Sequence, residues 1–237
     1  MKQINVSQIT ETVKKLCMDA NYFLNEDIVD RFKKAKEEES FGMAKNIIDI
    51  LMENADIARE EKMPICQDTG MAVVFVEIGQ DVHITGGSIE DAINEGVREG
   101  YEEGFLRKSV VADPINRVNT KDNTPAIIYY NIVPGEDIKI TVAPKGFGSE
   151  NMSKIKMLKP SDGAAGVKKF VIDSVKEAGP NPCPPIIVGV GIGGTFEKAA
   201  FLAKKALIRP IDVENTNPYY ADLEKELLEE INRLGIG

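Results

Sequence analysis

The sequence predicts an α+β fold, with a helical N-terminal third followed by a β-sheet core flanked by helices, all in a single domain over residues 1–237. Apolar residues recur at helical spacing through the N-terminal third, and short runs rich in β-branched residues follow. Proline and glycine are spread along the chain, with no repeat or low-complexity linker at which to divide it. A chain of 237 residues forms one large domain or two small ones, and this even distribution favours one.

Three helices are predicted in the N-terminal third. An apolar stripe marks the first helix along residues 6–20, and the second covers residues 26–39. The second helix ends in a run of mixed charge, which is typical of a solvated face. The third helix runs over residues 43–62 and stops before Pro64, because the residue before a proline disfavours the helical conformation.

The rest of the chain alternates strands and helices. Strands are predicted at residues 71–78 and 186–190, and a hairpin is predicted from residues 126–133 and 138–142 across the turn at 134–137. Four more helices are predicted, and the residues expected to begin them are Ser88, Ser161 with Asp162, Thr195, and Asn217.

Composition excludes several classes of function. The chain is 43% hydrophobic and 28% charged, which is typical of a globular protein. No apolar run approaches the ~20 residues of a membrane span, and the first residues lack the apolar core of a signal peptide, so a cytoplasmic protein without a membrane partner is expected. A net charge of −9 argues against nucleic acid as the main partner, while a local basic pocket still suits an anionic substrate. A single histidine excludes a multi-histidine metal site built from this chain alone.

The three cysteines are Cys17, Cys66 and Cys183. Their wide spacing does not resemble a disulfide framework and suits a reducing compartment. Cys66 and Cys183 each stand on a predicted loop just before an apolar run, whereas Cys17 lies on an apolar helical stripe, where a thiol is normally a small hydrophobic residue. Three thiolates can hold three corners of a cubane iron–sulfur cluster and leave the fourth iron open as a Lewis acid.

Two polar segments are candidates for binding an anion. Residues 106–125 are rich in polar groups and include Arg107, whose guanidinium suits a carboxylate, although a surface loop closed by its own Asn and Asp side chains is the alternative. Residues 145–151 begin with Lys145 and contain two glycines, which permit close approach of a ligand to the backbone. An ordinary turn between a strand and a helix explains this second segment equally well.

Two further features have competing interpretations. Residues 189–194 fit a G-x-G-x-x-G pattern, with Asp212 near the distance expected of a ribose-binding acid, so a nucleotide-binding domain is one hypothesis. The alternative is that these glycines allow a helix to pack against a strand. His83 is isolated in a short β-like stretch, and such a histidine is expected to be structural or exposed rather than catalytic.

Several distinctive segments occur in a specific order and together cover nearly the whole chain. They are ICQDTG at 65–70, LRKS at 106–109, NTKDNTPA at 119–126, KGFGSEN at 145–151 and NPCPP at 181–185, followed by residues 189–207 and 209–210. In this order they resemble the class I, iron–sulfur-dependent fumarate hydratases and the related L(+)-tartrate dehydratases. The resemblance is closer to the α subunit of the two-subunit form.

The resemblance implies a [4Fe–4S] hydro-lyase that adds or removes water across a C=C bond flanked by carboxylates. It also implies that this chain is half of the enzyme, partnered by a β subunit in a heterotetramer of two α and two β subunits. Reversible hydration of fumarate to (S)-malate is the expected reaction, and L(+)-tartrate dehydration is the alternative. A non-catalytic iron–sulfur sensing module is a hypothesis of a different class. The β subunit is expected to supply the catalytic base.

By resemblance, Asp68 and Arg107 correspond to catalytic residues. Asp68 matches an acidic residue beside the cluster, and Arg107 matches an arginine that contacts a substrate carboxylate. Gln67, Lys145 and Gly146 correspond to residues that line the substrate site, together with Arg107.

By the same resemblance, Cys66 and Cys183 match two cluster ligands. The family's middle cysteine has no counterpart in residues 140–145. Because an open-iron cubane needs three protein ligands and Cys17 is the only other thiol, Cys17 is the predicted third ligand. A non-cysteine ligand such as Ser149 or Glu150, or a thiol from the partner chain, are the alternatives.

Overall fold

Helices and two small sheets make up the computed structural model, which describes residues 2–236. The predicted α+β class is confirmed. The fold has two compact units, Met1–Phe147 and Gly148–Gly237, and each is described by itself. The prediction of a single domain stays a prediction. Among residues 2–236, no helix has the length and apolar character needed to cross a bilayer.

Helices dominate the N-terminal third of the chain, as predicted, and these helices belong to the first unit. After the short strand β1 (Lys2–Asn5), its helices are α1 (Val6–Tyr22), α2 (Glu26–Glu38), α3 (Gly42–Glu61) and, further along, α4 (Ile89–Glu103). A capping box formed by Asn5 and Gln8 starts α1. Ser88 caps α4 as expected, because its hydroxyl accepts a hydrogen bond from the Asp91 backbone N–H at 3.3 Å.

The larger sheet has the strand order β4-β2-β5, with β2 (Met71–Gly79) in the centre. β4 (Ile127–Val133) runs parallel to β2 and β5 (Ile138–Lys145) runs antiparallel to it. A second, two-stranded sheet pairs β1 with β3 (Val82–Thr85) in parallel. The exposed His83 lies on β3, in the β-like stretch that the sequence indicates.

The predicted hairpin is wrong, because β4 and β5 do not pair with each other. The turn between them crosses the end of β2, where the Gly79 N–H donates to the Asp137 carbonyl at 2.8 Å and the Asp81 N–H donates to the Gly135 carbonyl at 3.0 Å. β2 is the most buried of the three strands, so the central position between two neighbours buries the most apolar surface.

The core of the first unit lies between the sheet and the helices α1 and α4, which pack against each other. Its most buried members are Val13, Cys17, Ala72, Val74, Val76, Ile93, Val97 and Tyr101. Two glycines of α4 let the helices approach closely. A Cβ atom at Gly96 would lie 2.6 Å from the Thr10 carbonyl oxygen, and one at Gly100 would lie 2.8 Å from the Lys14 carbonyl oxygen.

The second unit is helical. Its helices are α5 (Phe147–Glu150, which begins at the last residue of the first unit), a 3₁₀ turn (Pro160–Asp162), α6 (Gly163–Ala178), α7 (Phe196–Ala206) and α8 (Pro218–Asn232). The three predicted helix starts are confirmed, since Asp162, Thr195 and Asn217 are the N-cap residues of α6, α7 and α8. Only Asn217 makes the capping side-chain bond, to the Tyr219 N–H at 3.0 Å.

The predicted strand at residues 186–190 is wrong, because this segment has no regular structure. Gly189 in this segment and Gly191 just after it pack directly against α7. A Cβ atom at Gly189 would lie 2.3 Å from the Ala203 carbonyl oxygen, and one at Gly191 would lie 2.1 Å from the Ala199 carbonyl oxygen. The glycines therefore serve close packing on a helix, and the strand that a dinucleotide-binding turn follows is absent from residues 186–190.

Candidate functional site

The loop between α3 and β2 exposes the Cys66 thiol. Lys62 caps the C-terminus of α3, and its left-handed conformation, with φ of 52°, turns the chain into this loop. The Cys66 sulfur accepts a hydrogen bond from the Asp68 backbone N–H at 3.4 Å, and the side chain of Gln67 is its neighbour, with 3.4 Å between Sγ and Oε1. The exposed sulfur thus stands on a short, internally hydrogen-bonded turn.

The Asp68 carboxylate joins this loop to the end of β5. Its Oδ1 accepts from the Gly70 N–H at 3.1 Å, and its Oδ2 accepts from the Phe147 N–H at 3.0 Å. Both oxygens are therefore engaged by backbone donors within the first unit. This arrangement fixes the Cys66 loop beside residues 145–147.

Two glycines make that contact possible. Gly70 has φ of 63°, and a Cβ atom there would lie 2.3 Å from the Lys145 carbonyl oxygen. A Cβ atom at Gly146 would lie 3.0 Å from Asp68 Oδ2. The structure therefore brings together four of the predicted site residues, namely Gln67, Asp68, Lys145 and Gly146.

The Arg107 segment is attached to the same loop. Arg107 is exposed on the loop that follows α4, and its carbonyl oxygen accepts a hydrogen bond from the buried Thr69 hydroxyl at 3.1 Å. The next residue, Lys108, forms an ion pair with Glu102. A cationic guanidinium and an exposed thiol therefore stand on two segments that are hydrogen-bonded to each other, an arrangement suited to a ligand that is both anionic and metal-binding.

Two buried residues that received no role from the sequence complete this network. The Tyr101 hydroxyl donates to the Thr69 carbonyl at 2.8 Å and lies 3.3 Å from the Gly70 carbonyl. Asn123 is fully buried, and its side chain binds the backbones of Ser109, Val110 and Gly70. The sequence gives little indication that Asn123 is buried, because a buried asparagine in a polar loop cannot be distinguished there from a solvated one.

Cys17 is placed differently from the other two thiols. It is 0% exposed in the core between α1 and α4, and burial raises its pKa to about 12. A thiol in that environment stays protonated at neutral pH, whereas a cluster ligand must be a thiolate. Its placement argues against the predicted role as the third ligand, which stays a prediction.

Cys183 is exposed on a loop of the second unit, with φ of 60°. Of the other candidates in that unit, Glu150 forms an ion pair with Lys204, and Ser149 is half-buried. Within residues 2–236, no group of three or more His, Cys, Asp or Glu side chains is arranged to hold a metal ion. Cys66 and Cys183 each present an exposed thiol, which is a ligand that soft metals prefer.

Comparisons with known proteins agree on one family. The family model described as fumarate hydratase (fumerase) matches residues 10–237. A protein of Methanocaldococcus jannaschii, provisionally named L(+)-tartrate dehydratase subunit alpha, is 45% identical over 97% of this chain and 82% of its own length. Proteins named L(+)-tartrate dehydratase subunit alpha from Escherichia coli and Shigella sonnei are 36% and 35% identical over 100% of this chain and 78% of their own lengths.

Proposed function

Because the chain belongs to the fumarate hydratase family, we propose that it is the α subunit of an iron–sulfur hydro-lyase acting on a four-carbon 2-hydroxy dicarboxylic acid. One observation supports this most directly. The loop with the exposed Cys66 thiol and the segment with the exposed Arg107 are joined by the hydrogen bond from the Thr69 hydroxyl to the Arg107 carbonyl at 3.1 Å. The proposed metal-binding thiol and the proposed carboxylate-binding guanidinium therefore stand on neighbouring segments of one unit.

The substrate is proposed as one of two acids. The family model supports reversible hydration of fumarate to (S)-malate, and the names of the relatives support dehydration of L(+)-tartrate. Both substrates carry two carboxylates, so the Arg107 guanidinium suits either as a bidentate partner. They differ by one hydroxyl group, and the selection between them depends on groups that contact that position.

The proposed cofactor is a [4Fe–4S] cluster, with Cys66 and Cys183 as two of its ligands. When bound, a cluster with an open iron supplies a Lewis acid for the leaving hydroxyl group. Both of these thiols are exposed, whereas Cys17 is buried and protonated. The third ligand is therefore the open part of this proposal, and Cys17 contributes only if the core around α1 rearranges to expose it.

Arg107 is proposed to hold the carboxylate farther from the reacting carbons. Asp68 is proposed to act through position, because both of its carboxylate oxygens already accept backbone hydrogen bonds and keep the Cys66 loop beside Gly146. A carboxylate with both oxygens engaged is a poor candidate for taking a proton from substrate. The catalytic base is therefore proposed to come from the partner subunit.

The proposed partner is a β subunit, in a heterotetramer of two α and two β chains. The relatives that match this chain over 97–100% of its length are named as alpha subunits, which supports a two-subunit enzyme. A cytoplasmic location is proposed with it, because exposed cluster thiolates require a reducing compartment.

The test is anaerobic reconstitution with the β subunit, ferrous iron and sulfide, followed by assay on (S)-malate and L(+)-tartrate side by side. Arg107→Gln is expected to lower kcat/KM ~30-fold or more, because it removes a charged hydrogen bond to substrate worth roughly 2–5 kcal/mol. Arg117→Gln is the matched control, since Arg117 is another exposed arginine of the same segment. Equal activity of Arg107→Gln and wild type would remove Arg107 from the site, and turnover by the isolated chain would contradict the need for a partner.

A further inference from the structure

The side chain of Asn123 contacts three backbone groups on two different segments. Its Oδ1 accepts from the Ser109 N–H at 2.8 Å and from the Val110 N–H at 3.1 Å, and its Nδ2 donates to the Gly70 carbonyl at 3.0 Å. Ser109 and Val110 lie two and three residues after Arg107 along the chain, and Gly70 closes the Cys66 loop. One amide group thus bridges the two segments that carry the proposed substrate-binding and metal-binding side chains.

The bridging side chain of Asn123 is enclosed by the protein. Asn123 is 0% exposed and its backbone has φ of 62°, a left-handed conformation that asparagine tolerates better than most residues. With Asn123 removed, the Ser109 and Val110 N–H groups would lose this buried acceptor, and the Gly70 carbonyl would keep only the longer bond from the Tyr101 hydroxyl, at 3.3 Å. Because the side chain is enclosed and its amide is engaged on both ends, it does not contact substrate.

We infer that Asn123 is a positioning residue that sets the location of Arg107 relative to the Cys66 loop, and so determines the affinity for a dicarboxylate. This inference rests on the proposed function. The hydrogen bond from the Thr69 hydroxyl to the Arg107 carbonyl, at 3.1 Å, joins the same two segments at a second point. Two separate attachments fix the orientation of one segment against the other, where a single attachment would leave it free to rotate.

The variant Asn123→Gly removes the amide and keeps the left-handed backbone free of strain. Asn123→Asp keeps an acceptor for the Ser109 and Val110 N–H groups and loses the donor to the Gly70 carbonyl. It therefore tests the two sets of hydrogen bonds separately. Thr10→Val is the matched control, because the Thr10 hydroxyl donates to the Ala92 carbonyl at 3.1 Å between α1 and α4 and makes no contact with either segment.

The first measurement is hydrogen–deuterium exchange of the full chain, resolved at the Ser109 and Val110 amides. Asn123→Gly is expected to speed exchange at both by ~10-fold or more, while Thr10→Val leaves them within ~2-fold of wild type. Asn123→Asp is expected to retain part of the protection. Unchanged exchange in Asn123→Gly would overturn the inference.

The second measurement is the affinity of the reconstituted αβ complex for succinate, a dicarboxylate that lacks the reacting hydroxyl. Asn123→Gly is expected to weaken binding ~10-fold in the wild-type background and less than ~2-fold in the Arg107→Gln background, since coupled residues are not additive. Independent effects in the two backgrounds would reduce Asn123 to a purely structural role and overturn the inference. A wild-type complex that neither binds succinate nor dehydrates malate or tartrate would instead refute the proposed function, and the positioning role with it.

Discussion

Cys17 is expected to resist alkylation in the folded chain. Its side chain is 0% exposed, and burial raises its pKa to about 12 from the reference thiol value of 9.0. At about pH 8, a thiol with the reference pKa is ~10% thiolate and one with the raised pKa is ~0.01% thiolate, a ratio of ~1000. Since the thiolate is the nucleophile, Cys17 should react with iodoacetamide ~1000-fold more slowly than an ordinary exposed thiol, before any steric protection is counted.

The assay uses the cluster-free full chain, pulse-labelled and then digested for mass spectrometry. The exposed Cys66 and Cys183 serve as internal references. In concentrated guanidinium chloride all three cysteines should react at similar rates, which controls for local sequence effects. Alkylation of Cys17 in the folded chain within ~10-fold of Cys66 would refute the reasoning about burial. It would also restore the case for Cys17 as the third cluster ligand.

Three other outcomes are expected. Asp68→Asn should cost about 1–2 kcal/mol of stability, because the amide NH₂ of asparagine would face one of the two backbone N–H groups that the carboxylate now accepts from. Urea unfolding checks this, and an unchanged midpoint would contradict it. Gly70→Ala should cost more than ~2 kcal/mol of stability, because its Cβ would lie 2.3 Å from the Lys145 carbonyl oxygen. Gly235→Ala is the control for the positive φ alone, because Gly235 has φ of 65° and nothing lies within 4 Å of its Cβ position. The free energy of unfolding should fall by up to about 4 kcal/mol as pH rises from about 9 toward about 12, because the Cys17 thiol loses its proton in the unfolded chain before it does in the folded one. Urea unfolding at several pH values checks this, and Cys17→Ala should flatten that part of the profile. A decline as steep in Cys17→Ala as in wild type would exclude Cys17 as its source.

The sequence alone located most of the helices and several of their starts. Helical periodicity placed α1 and α3, and the residue types at Ser88 and Asn217 marked two N-caps that the structure confirms. These signals are local, since a helix bonds within itself and its cap lies within a few residues of its first turn. The order of distinctive segments likewise identified the family, because each segment is read directly from the chain.

Strand partners, close packing and burial were decided only by the tertiary structure. Whether residues 127–133 pair with 138–145 or with β2 depends on which strand buries the most apolar surface, and a turn signal between two runs does not contain that information. Glycines at 189 and 191 suggested a nucleotide turn, yet they lie against the backbone of α7. Cys17 and Asn123 show the same limit most clearly. The sequence shows only that one side chain is a thiol and the other an amide. Enclosure by residues distant in sequence keeps the thiol protonated and directs the amide to three backbone groups, because desolvation and hydrogen bonding depend on neighbours in space.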